Sequence, residues 1–196
     1  GLMFVTSQSR CAQQVVMPAR ESPLDSPEQT GVTYSDWSSA RGGAGRGYPT
    51  LDGLDLWKGP VGRIVAYDMH TGDIVWTIPN GDAPQADQDF IRNHPLLRGV
   101  PNVDEIANRG REGHVAMVAS PNLLFASGQT ADNEPHLFAI DKRTGRRVGQ
   151  IPIPGISRYG MSSWEHDGHQ YIIVQLQDGL AAFGLPAAMP AAGDAH

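Results

Sequence analysis

The sequence predicts an all-β fold of short antiparallel strands, on three observations. Turn-forming residues are dense, with 23 glycines and 15 prolines in 196 residues, which suits many short strands joined by turns better than long helices. A motif of the form A-x-D-x-x-T-G occurs twice, as AYDMHTG from Ala66 and as AIDKRTG from Ala139. Apolar alternation precedes each copy and follows the first as far as Trp76, the pattern of a strand, a tight turn and a returning strand.

GLMFV, from Gly1, reads as a strand already in progress, with no initiator Met, charged n-region or apolar signal core before it. The expectation is a piece of a longer chain, with anything that directs export lying upstream. Residues 13–60 include PARESPLDSPEQTG and SSARGGAGRGYP and show little apolar periodicity. They read as a long loop, and such loops in compact domains tend to be functional or mobile. Gly62 to Asp68 then alternates as a strand. At its end the Asp68 carboxylate can accept bonds from the turn amides, and Gly72 tolerates the positive φ that the turn demands. Asp73 to Ile78 runs back. In it Trp76 brings a broad apolar ring whose N–H still needs a partner, suited to docking on a neighbouring repeat.

Residues 79–111 are too long for a simple connection. A short helical turn is expected at Asp89 to Leu97, ended near His94-Pro95 because the residue before proline avoids the α region. Strands follow at His114 to Ala119, Asn122 to Ser127, His136 to Ile140 and Arg146 to Ile151, with turns at Pro121-Asn122 and Lys142 to Gly145. Three more are expected at Gly160 to Glu165, His169 to Gln175 and Leu180 to Leu185, joined by the Asp-Gly turns 167–168 and 178–179. Residues 187–196 are low in complexity and read as a disordered tail.

Four antiparallel strands between His114 and Ile151 make one unit, and repeated four-stranded units of this length are the signature of a β-propeller blade. Three strands close the chain, and in a closed propeller the missing strand of the last blade comes from the opposite terminus. Residues 1–186 are thus read as one propeller portion interrupted by the two excursions.

Composition removes several function classes. The formal charge is −6 with no basic run, which argues against nucleic acid as a partner. No apolar run approaches the roughly 18 to 20 residues that span a bilayer. Cys11 is the single cysteine; it can form no internal disulfide and reads as a small, partly buried thiol. His94, His114, His136, His166 and His169 show no helical pairing and no Cys partner, so no zinc site is predicted, and the absence of C-x-x-C-H argues against a c-type haem.

The repeats GRIVAYDMHTGDIVW and HLFAIDKRTG resemble the tryptophan-docking repeats of the eight-bladed quinoprotein dehydrogenases. The stretch GMSSWEHDGHQYIIVQLQDG is similar to that family's closing segment. LWKGPVGRIVAYDMHTGDIVWTIPNGD and IRNHPLLRGVPN resemble its glucose and quinate dehydrogenase-like branch. The resemblance extends over nearly the whole chain and implies the last two to three blades of eight. It also implies a periplasmic enzyme, with any membrane anchor in the N-terminal part. Such an enzyme oxidises an alcohol or sugar hydroxyl with pyrroloquinoline quinone and Ca²⁺ and passes the electrons to a membrane quinone or a cytochrome. Calcium needs six to eight oxygen ligands, and the cofactor supplies redox chemistry that side chains lack.

The resemblance places the catalytic aspartate, the calcium ligands and most quinone contacts on earlier blades, so none is assigned to these residues, and Asp68 and Asp141 keep the turn role. It implies cofactor contacts at Gln8, where relatives carry an Asn, and at Gly113 and His114, where relatives carry W-G-G or L-G-G. Lys58, ahead of GPVGR, would stabilise a quinone carbonyl if it pointed inward; a solvated loop lysine is the competing reading. The final loop, VQLQDGLAAFG, is tighter than the family's glycine-rich one. Alone, this portion is expected to be inactive. Two other readings stay open: a noncatalytic envelope propeller that acts as a scaffold, and a degenerate relative that has lost its cofactor.

Overall fold

The computed structural model describes residues 1–9, 14–18, 37–41, 50–55 and 59–184. The described residues fall into two compact units, one drawn from 1–8 and 59–184 and one from 9–58. β1 (Leu2–Gln8) opens the first unit. The second unit holds two antiparallel ribbons inside the stretch expected to be a loop: β2 (Gln14–Pro18) with β3 (Trp37–Arg41), and β4 (Thr50–Leu51) with β5 (Leu54–Asp55). The β4–β5 turn is made by Asp52 and Gly53, at φ 51° and 87°, the left-handed pair that a two-residue hairpin favours.

The first unit is a row of antiparallel sheets. β6 (Gly62–Asp68) lies between β1 and β7 (Ile74–Pro79). The excursion that follows carries α1 (Gln85–Arg92), a 3₁₀ turn at Pro95–Leu97 and α2 (Val103–Ala107). α1 starts earlier than expected and stops where expected. His94, ahead of Pro95, is extended at ψ 129°, as the proline ring requires. Then β8 (Met117–Ala119), β9 (Leu123–Gln129), β10 (Pro135–Asp141) and β11 (Arg147–Pro152) form a four-stranded meander in the order β11-β10-β9-β8. β12 (Met161–His166), β13 (His169–Leu176) and β14 (Gly179–Gly184) form the last sheet. This is the antiparallel blade pattern of an all-β propeller portion. β8 is shorter than expected at its start because the Ala116 N–H leaves the ladder for the Ser157 carbonyl.

Both motif copies turn by the same chemistry. Gly72 N–H bonds the Asp68 carbonyl at 2.8 Å and Gly145 N–H bonds that of Asp141 at 2.9 Å, with φ 81° and 72° at the two glycines. The Asp carboxylates take amides inside their own turns, from His70 at 2.7 Å and from Thr144 at 2.9 Å. A register shift falls at the same motif position in each copy, Ala66/Tyr67 and Ala139/Ile140. Such a bulge bends and twists the outer strand pair.

The two central strands of the middle sheet, β9 and β10, are buried on both faces. Leu124, Ala126, Phe138 and Ile140 pack against Ile64, Ala66 and Trp76 of the first sheet. Phe125 and Leu137, alternating with them, pack against Ile172 and Val174 of the last. Trp76 docks as its N–H required. Its Nε1 donates to the Lys142 carbonyl at 2.9 Å, and its ring lies so close to Gly145 that a Cβ there would sit 2.8 Å from Cδ2. The second copy has Gly149 at the position of Trp76, so this lock joins the first and middle sheets only.

Candidate functional site

The meander puts connections at alternate ends of the sheets. Tight turns close one end at 69–73, 120–122, 142–146 and 167–168; the longer connections 80–116, 130–134 and 153–160 share the other with the short turn 177–178. They bond one another and the end of β9 there. Asp82 N–H reaches the Gln129 carbonyl at 2.8 Å, Gln85 N–H reaches that of Ala131 at 3.0 Å, and Ser157 N–H reaches the Ser127 hydroxyl at 2.7 Å.

The 80–113 excursion is closed by a polar neck. The Asn108 amide donates to the Asp82 carboxylate at 2.9 Å and accepts from Ala83 N–H at 2.9 Å and Gly110 N–H at 3.2 Å. Arg111 bonds the carbonyls of Asp82, 2.7 Å, and Thr130, 2.8 Å. Burial lowers the Arg111 pKa, opposed by Asp82 and Asp87. The Asp82 carboxylate also takes both arms of Arg147 at 2.9 and 3.1 Å, and that guanidinium lies 3.8 Å over the Phe138 ring. Buried Asn80 bonds the Arg111 and Gly113 carbonyls through its side chain.

The predicted contact residues distribute as follows. Gln8 is half-buried at the end of β1, in register with Gly62, at the end of the sheets that carries the long connections. Gly113 lies at the same end, at φ 109° with open space where a Cβ would point, and His114 beside it is exposed. The chain at Arg111–Glu112 crosses Gly62 closely enough that a Cβ there would collide with the Arg111 carbonyl. Gln8 and the 111–114 segment therefore flank one residue. Lys58 and Cys11 lie outside the described residues. Among the described residues no three His, Cys, Asp or Glu side chains are grouped to hold a metal ion. Asn80, Asp82, Asn108, Arg111 and Arg147 were not marked by sequence reasoning, although NGD was visible, because their partners lie far along the chain.

A family model described as "PQQ: Glucose/ethanol/alcohol dehydrogenase, beta-propeller domain" matches residues 1–172. The chain belongs to this family. No curated protein matches it. The cofactor that this family implies is PQQ. A flat quinone with carbonyl and carboxylate oxygens needs hydrogen-bond donors and backbone bare of side chains. Gln8 and His114 supply the first and Gly113 the second, so these residues fit one edge of such a group.

Proposed function

We propose that the chain is part of a PQQ-dependent dehydrogenase that oxidises an alcohol or a sugar hydroxyl in the bacterial periplasm and delivers the electrons to a membrane quinone or a cytochrome. The observation that carries this reading is the common end of the stacked sheets at which Gln8, Gly113 and His114 lie, in a chain of this family. Bound PQQ supplies a two-electron acceptor, which no side chain offers. The part of this chain is placement. The Gln8 amide can donate to an oxygen of the ring system, the His114 imidazole can hold a second polar edge, and Gly113 keeps the approach open. The excursion of α1 and α2 stands at the same end. The catalytic aspartate and the calcium ligands are proposed to lie on other blades of the parent protein.

The test is dye-linked oxidation by the full-length protein, titrated with PQQ and Ca²⁺ over a panel of alcohols and sugars. Saturable, cofactor-dependent turnover supports the proposal and names the substrate class. A folded protein with no turnover and no quinone binding contradicts it and favours a scaffold.

A further inference from the structure

Asn80, the first residue after β7, is 3% exposed and bonds two separate segments through its N–H, its carbonyl and its side-chain amide nitrogen. Its N–H donates to the Gly62 carbonyl at 2.9 Å, and its carbonyl accepts from Arg111 N–H at 2.8 Å. Its side-chain Nδ2 donates to the carbonyls of Arg111, 3.2 Å, and Gly113, 3.3 Å. Carbonyl oxygens only accept, so the side chain at this point must be a donor twice over, which an amide is and a carboxylate is not. The crossing has no room for other side chains: a Cβ at Gly110 would sit 2.7 Å from Asn80 N and against the Gly62 carbonyl.

Gly62 is the register partner of Gln8, and Gly113 adjoins His114. Asn80 is therefore bonded both to the strand position opposite Gln8 and to the backbone that presents His114. Asn108 serves the excursion itself, since its partners are Asp82, Ala83 and Gly110. We propose that Asn80 is a positioning residue that fixes the Gly113–His114 segment relative to Gln8, so that both sides of the quinone edge are set before the cofactor arrives. The inference rests on the functional reading above. Pre-organisation of this kind appears as binding affinity, because the segment then loses less freedom on binding.

Asn80→Asp is nearly isosteric and turns two attractive contacts into repulsive ones; Asn80→Ser keeps a neutral donor of shorter reach and serves if the first variant fails to fold. In the full-length protein, PQQ affinity is read from tryptophan quenching, backbone order from hydrogen exchange, and overall stability from the apo-protein melting point. Asn80→Asp is expected to weaken PQQ binding tenfold or more and to speed exchange at least tenfold within 110–116, with Asn80→Ser intermediate. Wild-type affinity in a folded Asn80→Asp protein, or faster exchange spread evenly over all blades, overturns the proposal. If the wild-type protein binds no quinone, the functional reading falls separately. Exchange then decides the positioning claim alone: acceleration confined to 110–116 upholds it and unchanged exchange overturns it.

Discussion

Trp76 carries the best-defined single contact between sheets, and its two halves can be separated by mutation. Trp76→Phe keeps an aromatic ring and removes the bond to the Lys142 carbonyl, for an expected loss of about 1 kcal/mol. Trp76→Ala also empties the space beside Phe4 and Gly145 and is expected to cost about 3 to 5 kcal/mol. Chemical denaturation of the full-length variants measures both, and equal losses would contradict the assignment. Asp141 gives a pH test. Its carboxyl is held below its ordinary value first by the Thr144 hydroxyl and then by the Thr144 amide. A depressed folded pKa adds stability that is fully present above the unfolded value of about 3.9 and is lost as pH falls through the folded one. Thr144→Val should move the Asp141 titration back toward that ordinary value by NMR; an unchanged titration would show that the hydroxyl is not the cause.

The two motif turns are alike in backbone and differ in surroundings, which makes them a matched pair. A Cβ on Gly72 meets open space, while one on Gly145 meets the Trp76 ring. Alanine at either glycine costs the left-handed conformation, about 1 to 2 kcal/mol, and only Gly145→Ala should add the cost of a displaced tryptophan. Equal losses in the two variants would mean that Trp76 is not seated on the second turn. These turns were legible because Asp, Thr and Gly act within a few residues of one another, and the strands were legible through alternation along β6, β9 and β10. The excursion was only partly legible. Pro95 marked the end of its first helical part, but VDEIA is too short to announce α2, and the β4–β5 ribbon was hidden in a stretch without periodicity. Nothing local joins Asp82 to Arg147 or Asn80 to Gly113, since those bonds exist only once the sheets have stacked. The Asp82–Arg147 pair is partly buried, with side chains 20% and 33% exposed, and a double-mutant cycle is expected to give a coupling of about 1 kcal/mol. Zero coupling would leave the neck to Asn108 and Arg111.

At the scale of the molecule, three sheets stack face to face, with one core on each side of the middle one. The strands of the three stacked sheets followed from the sequence, while β2 to β5 did not, and the family match bears out the resemblance over residues 1–172. The site was less legible, because Gln8, Gly113 and His114 came from the resemblance and their common placement depends on the crossing at Gly62. β1 and β14 each have an edge without a strand partner among the described residues, and Trp164 and Leu180 are exposed on the last sheet. Unpaired edges beside apolar surface favour association. Residues 1–196 expressed alone are therefore expected to self-associate in size-exclusion chromatography and to show no dye-linked turnover; a monodisperse, active product would contradict this. The central claim is that the end of the sheets bearing the 80–113 excursion faces the quinone. A crystal structure of the full-length protein with PQQ tests it most directly. The account predicts the Gln8 amide within hydrogen-bond distance of the cofactor and the Gly113–His114 backbone beside its ring. Cofactor bound at the opposite end, among the tight turns at Met69–Asp73 and Lys142–Arg146, would contradict it.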